Sequence, residues 1–196
     1  MVRVSQQELI TGAIAGKLVS FPTDTLPALA VRPDRGALIF AAKQRPLHKP
    51  LILMGASFEE LIPYIAGNSL QLKVWEQVAK KYWPGALTLV LPASPVVPPG
   101  INPQDETTIG IRVPNQPFAQ EILAATSPLA TTSANLSGKP ALTTMAAVEA
   151  AFPEVLTWKY PNLDENTNLG SGAPSTVAKW TTTGWEILRQ GAVNIK

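Results

Sequence analysis

The sequence contains no cysteine and a single histidine, His48, among its 196 residues. Without cysteine the chain can form neither a disulfide nor a thiolate nucleophile, nor a zinc site built on thiolates. A single histidine also argues against a Ser-His-Asp triad and against a metal site with several imidazole ligands. Because His48 lies in a polar loop beside Lys49, we expect it on the surface rather than in a catalytic role.

Charged residues are also scarce, at 15% of the chain, whereas apolar residues make up 45%. The usual charged fraction is about a quarter, so we expect a sizeable core and specific roles for the few charges present. The net charge of +2 is too small to indicate nucleic-acid binding by itself.

Long hydrophobic runs are missing as well. No window approaches the roughly 18 apolar residues of a transmembrane helix, and no apolar segment follows Arg3 as in a signal peptide. We therefore expect a cytoplasmic protein without membrane contact. We interpret residues 1–196 as a single domain, because a boundary in the proline-rich stretch 92–103 would leave later strands without partners.

The chain contains neither of two common phosphate-binding motifs, Gly-x-x-x-x-Gly-Lys-Ser/Thr and a Gly-x-Gly-x-x-Gly that opens a helix. A bound nucleotide would therefore need scattered cations combined with hydroxyl-rich loops. Residues 128–138 form such a loop, in which an apolar strand runs into Thr132, Ser133 and Asn135 without any charge. These side chains can donate hydrogen bonds to an oxyanion, although an ordinary Asx or Ser/Thr turn is the alternative interpretation.

Hydrophobic periodicity and capping patterns predict helices that alternate with short strands. The chain also closes with a predicted hairpin, which makes a mixed sheet more plausible than a parallel one. The fold class is therefore α/β (α+β), a mixed β-sheet flanked by helices. The helices are predicted at 5–17, 37–43, from Ser57, 71–82, 117–125 and 144–152, and the strands at 18–21, 51–54, 86–91, 108–113, 155–158, 175–180 and 185–189.

Several cations lie at the ends of these elements. Lys43 and Arg45 close a helix, where cations also favour the helix dipole, whereas Arg112 and Arg189 each follow strand-like apolar residues. A cation in such a pattern needs an anionic partner, which can be a ligand or a buried structural carboxylate. The segment 22–25, Pro-Thr-Asp-Thr, offers hydroxyls and a carboxylate nearby, or is a plain turn.

Seven short motifs follow one another in an order that resembles the YrdC-like family, the threonylcarbamoyl-adenylate synthases. Each motif alone is weakly specific, but their order spans about residues 18–193. The motifs are Pro22-Thr-Asp-Thr25, Lys43-Gln-Arg45-Pro46 with Lys49-Pro50, Trp83-Pro-Gly85, Ile109-Gly-Ile-Arg112-Val-Pro114, Thr132-Ser-Ala-Asn135-Leu-Ser-Gly138, Ser175-Thr-Val177 and Leu188-Arg-Gln-Gly191.

The resemblance implies a twisted mixed α/β sheet around a concave, positively charged cavity, in the single-domain form without the additional C-terminal domain of longer members. It implies that L-threonine, bicarbonate and ATP give threonylcarbamoyl-adenylate and pyrophosphate, the first step of threonylcarbamoyladenosine modification of tRNA. Other proteins would then transfer the group to tRNA. Binding of tRNA or double-stranded RNA by the chain itself is a further expectation.

The resemblance also implies roles for particular residues. The catalytic set would be Lys43, Arg45, Ser133 and Asn135, with Thr132 and Arg189 joining them around ATP. The amino-acid end would be formed by four residues: Thr23, Thr25, Arg112 and Ser175. No side chain is assigned as a metal ligand, because we expect Mg²⁺ to be held mainly by ATP and water.

One segment departs from the family pattern. Where the family has Thr-Val-Tyr-Gly-Leu, this chain has Thr25-Leu-Pro-Ala-Leu29, so Pro27 replaces an aromatic residue and Ala28 a glycine that could require positive φ. Two other hypotheses therefore stay open. One is a diverged paralogue that binds nucleotide or structured RNA without synthase activity, and the other is a different acyl-adenylate or carbamoyl-transfer enzyme.

Overall fold

In the described part of the chain, one mixed sheet of ten strands forms the centre of the fold. The structure, a computed structural model, describes residues 2–159, 164 and 166–195. In spatial order the strands are β1, β8, β2, β3, β7, β4, β6, β5, β9 and β10. Their bounds are β1 Val2–Val4, β2 Val19–Phe21, β3 Ala28–Val31, β4 Ile52–Met54, β5 Leu87–Pro92, β6 Thr108–Arg112, β7 Leu129–Ser133, β8 Leu156–Trp158, β9 Thr176–Thr181 and β10 Gly184–Arg189.

Six α-helices are present in the described part of the chain. Ser5 and Glu8 form the predicted capping box at the first helix, and Asn68 and Gln71 form another that starts the fourth helix earlier than predicted. None of the described helices is both long and apolar enough to cross a membrane. The helices are α1 Gln6–Ile14, α2 Ala37–Lys43, α3 Phe58–Leu61, α4 Ser69–Tyr82, α5 Pro117–Thr126 and α6 Met145–Ala151.

The pairing of the strands confirms the prediction of a mixed sheet. The central strand β6 is parallel to β4 and antiparallel to β5, while β5 is parallel to β9. The predicted closing hairpin is the antiparallel pair β9 and β10. Strand β1, which was not predicted, pairs in parallel with β8 at the opposite edge of the sheet.

The two faces of the sheet have different roles because side chains alternate along each strand. On β6, Ile109 and Ile111 belong to the main core, which includes the fully buried Trp75. On this core side, Trp180 packs edge-on against Trp75 and Trp185, with ring centroids 6.2 and 5.1 Å apart. The other face of the central strands is concave and lines a cavity.

Two non-glycine residues among those described adopt positive φ, Gln44 at 50° and Ser127 at 63°. Gln44 is the left-handed C-cap of α2, and it separates Lys43, the last helical residue, from Arg45. Ala28 lies in strand β3 and has no positive φ, so position 28 does not need glycine for its backbone conformation.

Candidate active site

A cavity of about 630 Å³ lies on the concave face of the sheet, within the size range of small-molecule sites. Five Lys or Arg side chains line it, and Asp105 is the acidic residue on the same lining. The excess of positive charge on the lining confirms the prediction of a basic cavity. The five cations are Arg45, Lys49, Arg112, Lys179 and Arg189.

The middle of the cavity floor, at Gly110 and Ile52, is apolar. Along β6, Thr108, Gly110 and Arg112 face the cavity, as the alternation of side chains requires. A Cβ atom at Gly110 would lie 2.8 Å from Cγ2 of Ile52 on the paired strand β4. Glycine therefore lets Ile52 lie across the floor, and the polar groups of β6 are separated toward its two ends.

Lys43 lies behind the cavity wall. Its side chain is only 1% exposed, and Nζ donates to the carbonyl oxygen of Ser133 and to Oδ1 of Asn135. Burial, together with the smaller effects of the neighbouring charges of Arg45 and Lys49, lowers the pKa of the Lys43 amine to about 7. The amine is therefore held against neutral oxygens in a site that disfavours its charge.

Asn135 uses its side chain to organise the hydroxyl-rich loop. Its Oδ1 accepts from Oγ of Ser133 at 2.7 Å as well as from Lys43, while Nδ2 donates to the carbonyl oxygens of Leu136 and Lys139. Both ends of the amide are thus engaged within the protein. These bonds close the loop locally, as in a turn, and they also tie it to the end of α2.

Arg45 holds the loop that follows α2. Its Nε donates to the carbonyl oxygen of Lys49 at 2.9 Å, and one terminal nitrogen donates to that of Pro50 at 2.8 Å. Partial burial lowers the pKa of the Arg45 guanidinium. The loop brings His48 and Lys49 to the cavity lining, so His48 is exposed, as predicted, but exposed toward the cavity mouth.

Arg112 forms a buried ion pair. It is 3% exposed, and its guanidinium donates to the Gly85 carbonyl, to Oγ1 of Thr25 at 2.9 Å and to Oδ1 of Asp24 at 2.7 Å. Burial lowers the pKa of Arg112, and the carboxylate of Asp24 acts in the opposite direction. The anionic partner of Arg112 in this structure is therefore Asp24, and a role toward a substrate carboxylate stays a prediction.

The turn at residues 23–26 is closed by its own hydroxyl groups. Oγ1 of Thr23 accepts from the amide nitrogens of Thr25 and Leu26 and donates to the Leu26 carbonyl at 2.7 Å. Thr23 and Thr25 are 1% and 3% exposed, and both contribute to the cavity lining. Their hydroxyls fix the shape of this end of the cavity.

The strands of the closing hairpin and the residue before them form another part of the cavity wall. Arg189 donates from Nε and from one terminal nitrogen to the Ser175 carbonyl, at 3.1 and 2.9 Å. Oγ of Ser175 lies 3.3 Å from Arg189 and 2.9 Å from Oγ1 of Thr88. Thr88 was not singled out from the sequence, because nothing distinguishes it there from other strand residues.

The ten predicted site residues thus gather at one place in the fold. Lys43 and Asn135 are the two that do not line the cavity, and they act on it through Ser133. Sequence reasoning did not assign Asp24 to Arg112, nor Lys179 and Asp105 to the cavity. The eight residues on the lining are Thr23, Thr25, Arg45, Arg112, Thr132, Ser133, Ser175 and Arg189.

The described residues do not fit a protein-built metal site. They contain no group of three or more His, Cys, Asp or Glu side chains that could hold a metal ion. Asp105, the carboxylate on the cavity lining, accepts from the amide and hydroxyl of Thr107 and from the Thr108 hydroxyl. The hydrogen bonds from Thr107 lower the pKa of Asp105. Binding of Mg²⁺ together with ATP stays a prediction.

Comparison with known proteins shows which family the chain belongs to. The family model Sua5_yciO_yrdC, described as "Telomere recombination", matches residues 13–191. The chain belongs to the Sua5/YciO/YrdC family. Among its family relatives, the threonylcarbamoyl-AMP synthase of Vibrio campbellii is 33% identical over 189 residues, which cover 94% of this chain and 98% of the relative. The synthase of Klebsiella pneumoniae is 35% identical over 178 residues, 89% of each protein.

Longer members of the Sua5/YciO/YrdC family also match. The threonylcarbamoyl-AMP synthase of Pyrococcus abyssi is 36% identical over 92% of this chain but only 52% of its own length. The crystal structure of P. abyssi Sua5 complexed with L-threonine superposes with a TM-score of 0.83 at 33% identity, covering 96% of this chain and 55% of that one.

Escherichia coli YciO has a TM-score of 0.80 at 23% identity over 100% of this chain and 94% of its own, which shows the fold alone.

Proposed function

We propose that this protein synthesises L-threonylcarbamoyl-adenylate from L-threonine, bicarbonate and ATP, with release of pyrophosphate, as a nucleotidyltransferase. The observation that supports this most is that eight of the ten residues implied by the family motifs line one basic cavity. Relatives named threonylcarbamoyl-AMP synthase match nearly the whole chain, and one related structure contains L-threonine.

The reaction needs no nucleophile from the protein. The threonine amine attacks the carbon of bicarbonate-derived carbon dioxide and loses a proton to give a carbamate. A carbamate oxygen then attacks the α-phosphorus of ATP, and the bond to the β-phosphate oxygen breaks to release pyrophosphate. The chain contributes by holding the reactants together and by neutralising their negative charge. This agrees with a cavity lined by cations and hydroxyls in a chain without cysteine.

We assign the phosphates to Arg45 and Arg189, with Lys49 and Lys179 adding positive charge from the same lining. A guanidinium has five N–H donors, and the contacts of Arg45 with its own loop use two of them. The others can face phosphate oxygens. Lys43 supports this end indirectly, by fixing the Ser133 carbonyl and the Asn135 amide from behind the wall.

We assign the amino acid to the end formed by Arg112 and the turn at residues 23–26. Arg112 carries its charge beside Thr25, and Thr23 and Ser175 line the same cavity. Hydroxyls here can accept from the threonine ammonium and donate to its carboxylate. Mg²⁺ would accompany ATP rather than bind a carboxylate cluster of the protein. The adenylate would pass to tRNA threonylcarbamoyl-transfer proteins, and direct tRNA binding is a separate prediction.

The deciding experiment is pyrophosphate release by the purified protein with ATP, bicarbonate and Mg²⁺. Release should require L-threonine and fall strongly when L-valine replaces it, because valine has the same shape but lacks the hydroxyl. No dependence on threonine would refute the proposal. Salt-dependent tRNA binding without adenylate formation would instead support the diverged binding protein.

A further inference from the structure

A segment outside the family motifs is packed directly on the turn at residues 23–26. Residues 168–172, here termed the clamp segment, lie between β8 and β9. The amide nitrogen of Ser171 donates to the Asp24 carbonyl at 2.9 Å, and that of Gly172 donates to the Thr25 carbonyl at 3.0 Å. The clamp segment therefore binds the backbone of the turn, whereas Arg112 binds its side chains.

Gly170 makes the closest approach between the two segments. Its φ is +69°, and a Cβ atom there would lie 2.6 Å from the carbonyl oxygens of both Thr23 and Thr25. Real Cβ atoms do not come this close to a backbone oxygen. Only glycine allows the clamp segment to lie against the turn at this distance, for conformational and steric reasons together.

The other end of the clamp segment is anchored away from the cavity. The Leu169 amide donates to the Thr143 carbonyl at 2.8 Å, and Oγ1 of Thr143 bonds with the side chain of Asn168 at 2.6 Å. Leu169 itself is 8% exposed. The clamp segment is thus fixed to the region before α6 and holds the turn from outside.

The turn at residues 23–26 determines the positions of Asp24 and Arg112 at the cavity. Oδ1 of Asp24 accepts from Arg112 and, at 3.0 Å, from the amide of Asn115, while Thr25 accepts from Arg112. Displacement of the Thr23–Thr25 carbonyls would change the ion pair and both hydroxyls of the turn at once. Arg45 and Arg189 hold other parts of the cavity, because the hydrogen bonds described for them go to the carbonyls of Lys49, Pro50 and Ser175.

We propose that the clamp segment positions the amino-acid end of the cavity and that Gly170 is its positioning residue. The kinetic part of this inference rests on the proposed function. Because the clamp segment contacts the amino-acid end of the cavity, its loss should raise the KM for L-threonine more than the KM for ATP. A segment with a general structural role would affect both substrates alike.

Gly170→Ala and Gly172→Ala form a matched pair for the test. Both positions have positive φ, +69° and +73°, but a Cβ at Gly172 meets nothing within 4 Å. Each variant carries a similar backbone penalty because both residues have positive φ, so their difference isolates the contact with the turn. We expect Gly170→Ala to raise the KM for L-threonine about tenfold while the KM for ATP stays within about twofold, and Gly172→Ala to change neither by more than about twofold.

Hydrogen exchange tests the clamp without any catalysis. The amides of Thr25, Leu26 and Asn115 should exchange about tenfold faster in Gly170→Ala than in Gly172→Ala. If the unaltered protein releases no threonine-dependent pyrophosphate, the proposed function fails, and the exchange measurement still decides on the clamp. Equal exchange in the two variants, or equal effects of Gly170→Ala on both KM values, would overturn the inference.

A second variant covers the case in which Gly170→Ala does not fold. Asn168→Ala removes only an exposed hydrogen bond to Thr143 at the anchored end of the clamp segment. It should speed exchange of the Thr25 and Leu26 amides about threefold, because the anchor is loosened while the contact itself is kept. Unchanged exchange in that variant would overturn the inference.

Discussion

Nζ of Lys43 donates to Oδ1 of Asn135 at 3.1 Å, although the two residues are 92 positions apart in the chain. This bond joins the end of α2 to the hydroxyl-rich loop after β7. Because the partners of Lys43 are neutral oxygens, nothing in this network compensates fully for the burial of a charged amine.

Stability should therefore rise with pH in a way that depends on Lys43. Its pKa in the folded protein is about 7, against an ordinary value of 10.5, so between these values the unfolded chain binds more protons than the folded one. The free energy of unfolding should increase with pH in this window, by up to about 1 kcal/mol per pH unit, and the cost should be fully present below pH 7. Urea unfolding of the native protein and Lys43→Met from pH 7 to 9 checks this. An equal slope in both proteins would contradict it.

Arg45→Ala should impair the use of ATP while leaving the fold intact. The substitution removes a cation from the cavity lining, and the freed carbonyls of Lys49 and Pro50 lie in an exposed loop where water can replace the guanidinium. We expect kcat/KM for ATP to fall about 100-fold or more and the melting temperature to change by only a few degrees. Arg35→Ala, at a position with 63% side-chain exposure, serves as the control. Unfolding of Arg45→Ala would show a structural role instead.

Asp24→Ala should destabilise the protein strongly. Asp24 is the ionic partner of Arg112, whose side chain is 3% exposed, so the substitution leaves a buried guanidinium without a counter-charge. The expected loss is about 3 kcal/mol, measured by urea denaturation. The matched control is Asp34→Ala, because the ion pair of Asp34 with Arg32 is about half exposed, so its loss should destabilise the protein much less. Similar losses in both variants would refute the importance of burial here.

Ser127→Gly should stabilise the protein. Ser127 connects α5 to β7 with φ 63° and ψ 175°, a combination that is essentially restricted to glycine. Relief of this strain should add about 1 kcal/mol to the free energy of unfolding. Ser127→Ala keeps the Cβ atom and the strain, so it should bring no gain. Thermal melting of both variants provides the comparison, and a gain from alanine equal to that from glycine would contradict the strain argument.

Local patterns were sufficient to predict the elements whose signals are contained in a few neighbouring residues. Helix α2 has the predicted bounds, and the hairpin of β9 and β10 was found from its turn and strand residues. Strand β1 was missed because three residues show no periodicity, and its pairing depends on β8 more than 150 positions later.

The site shows the same limit. Ordered motifs identified the residues that gather at the cavity, but they did not indicate how these residues contact one another. The pairing of Asp24 with Arg112 joins residues 88 positions apart, and the burial of Lys43 depends on a strand 90 positions away. Burial and ion pairing arise from long-range packing, which a pattern of neighbouring residues does not contain.

The alternation of side chains on β9 has an optical consequence. Lys179 faces the cavity, and the next residue, Trp180, packs against the core on the opposite face, within a group of three tryptophans. An anion that binds near Lys179 changes the electric field at the neighbouring indole without touching it. The intrinsic tryptophan fluorescence of the unlabelled protein should therefore change when the cavity is occupied, with Trp180 responding from the opposite side of the sheet.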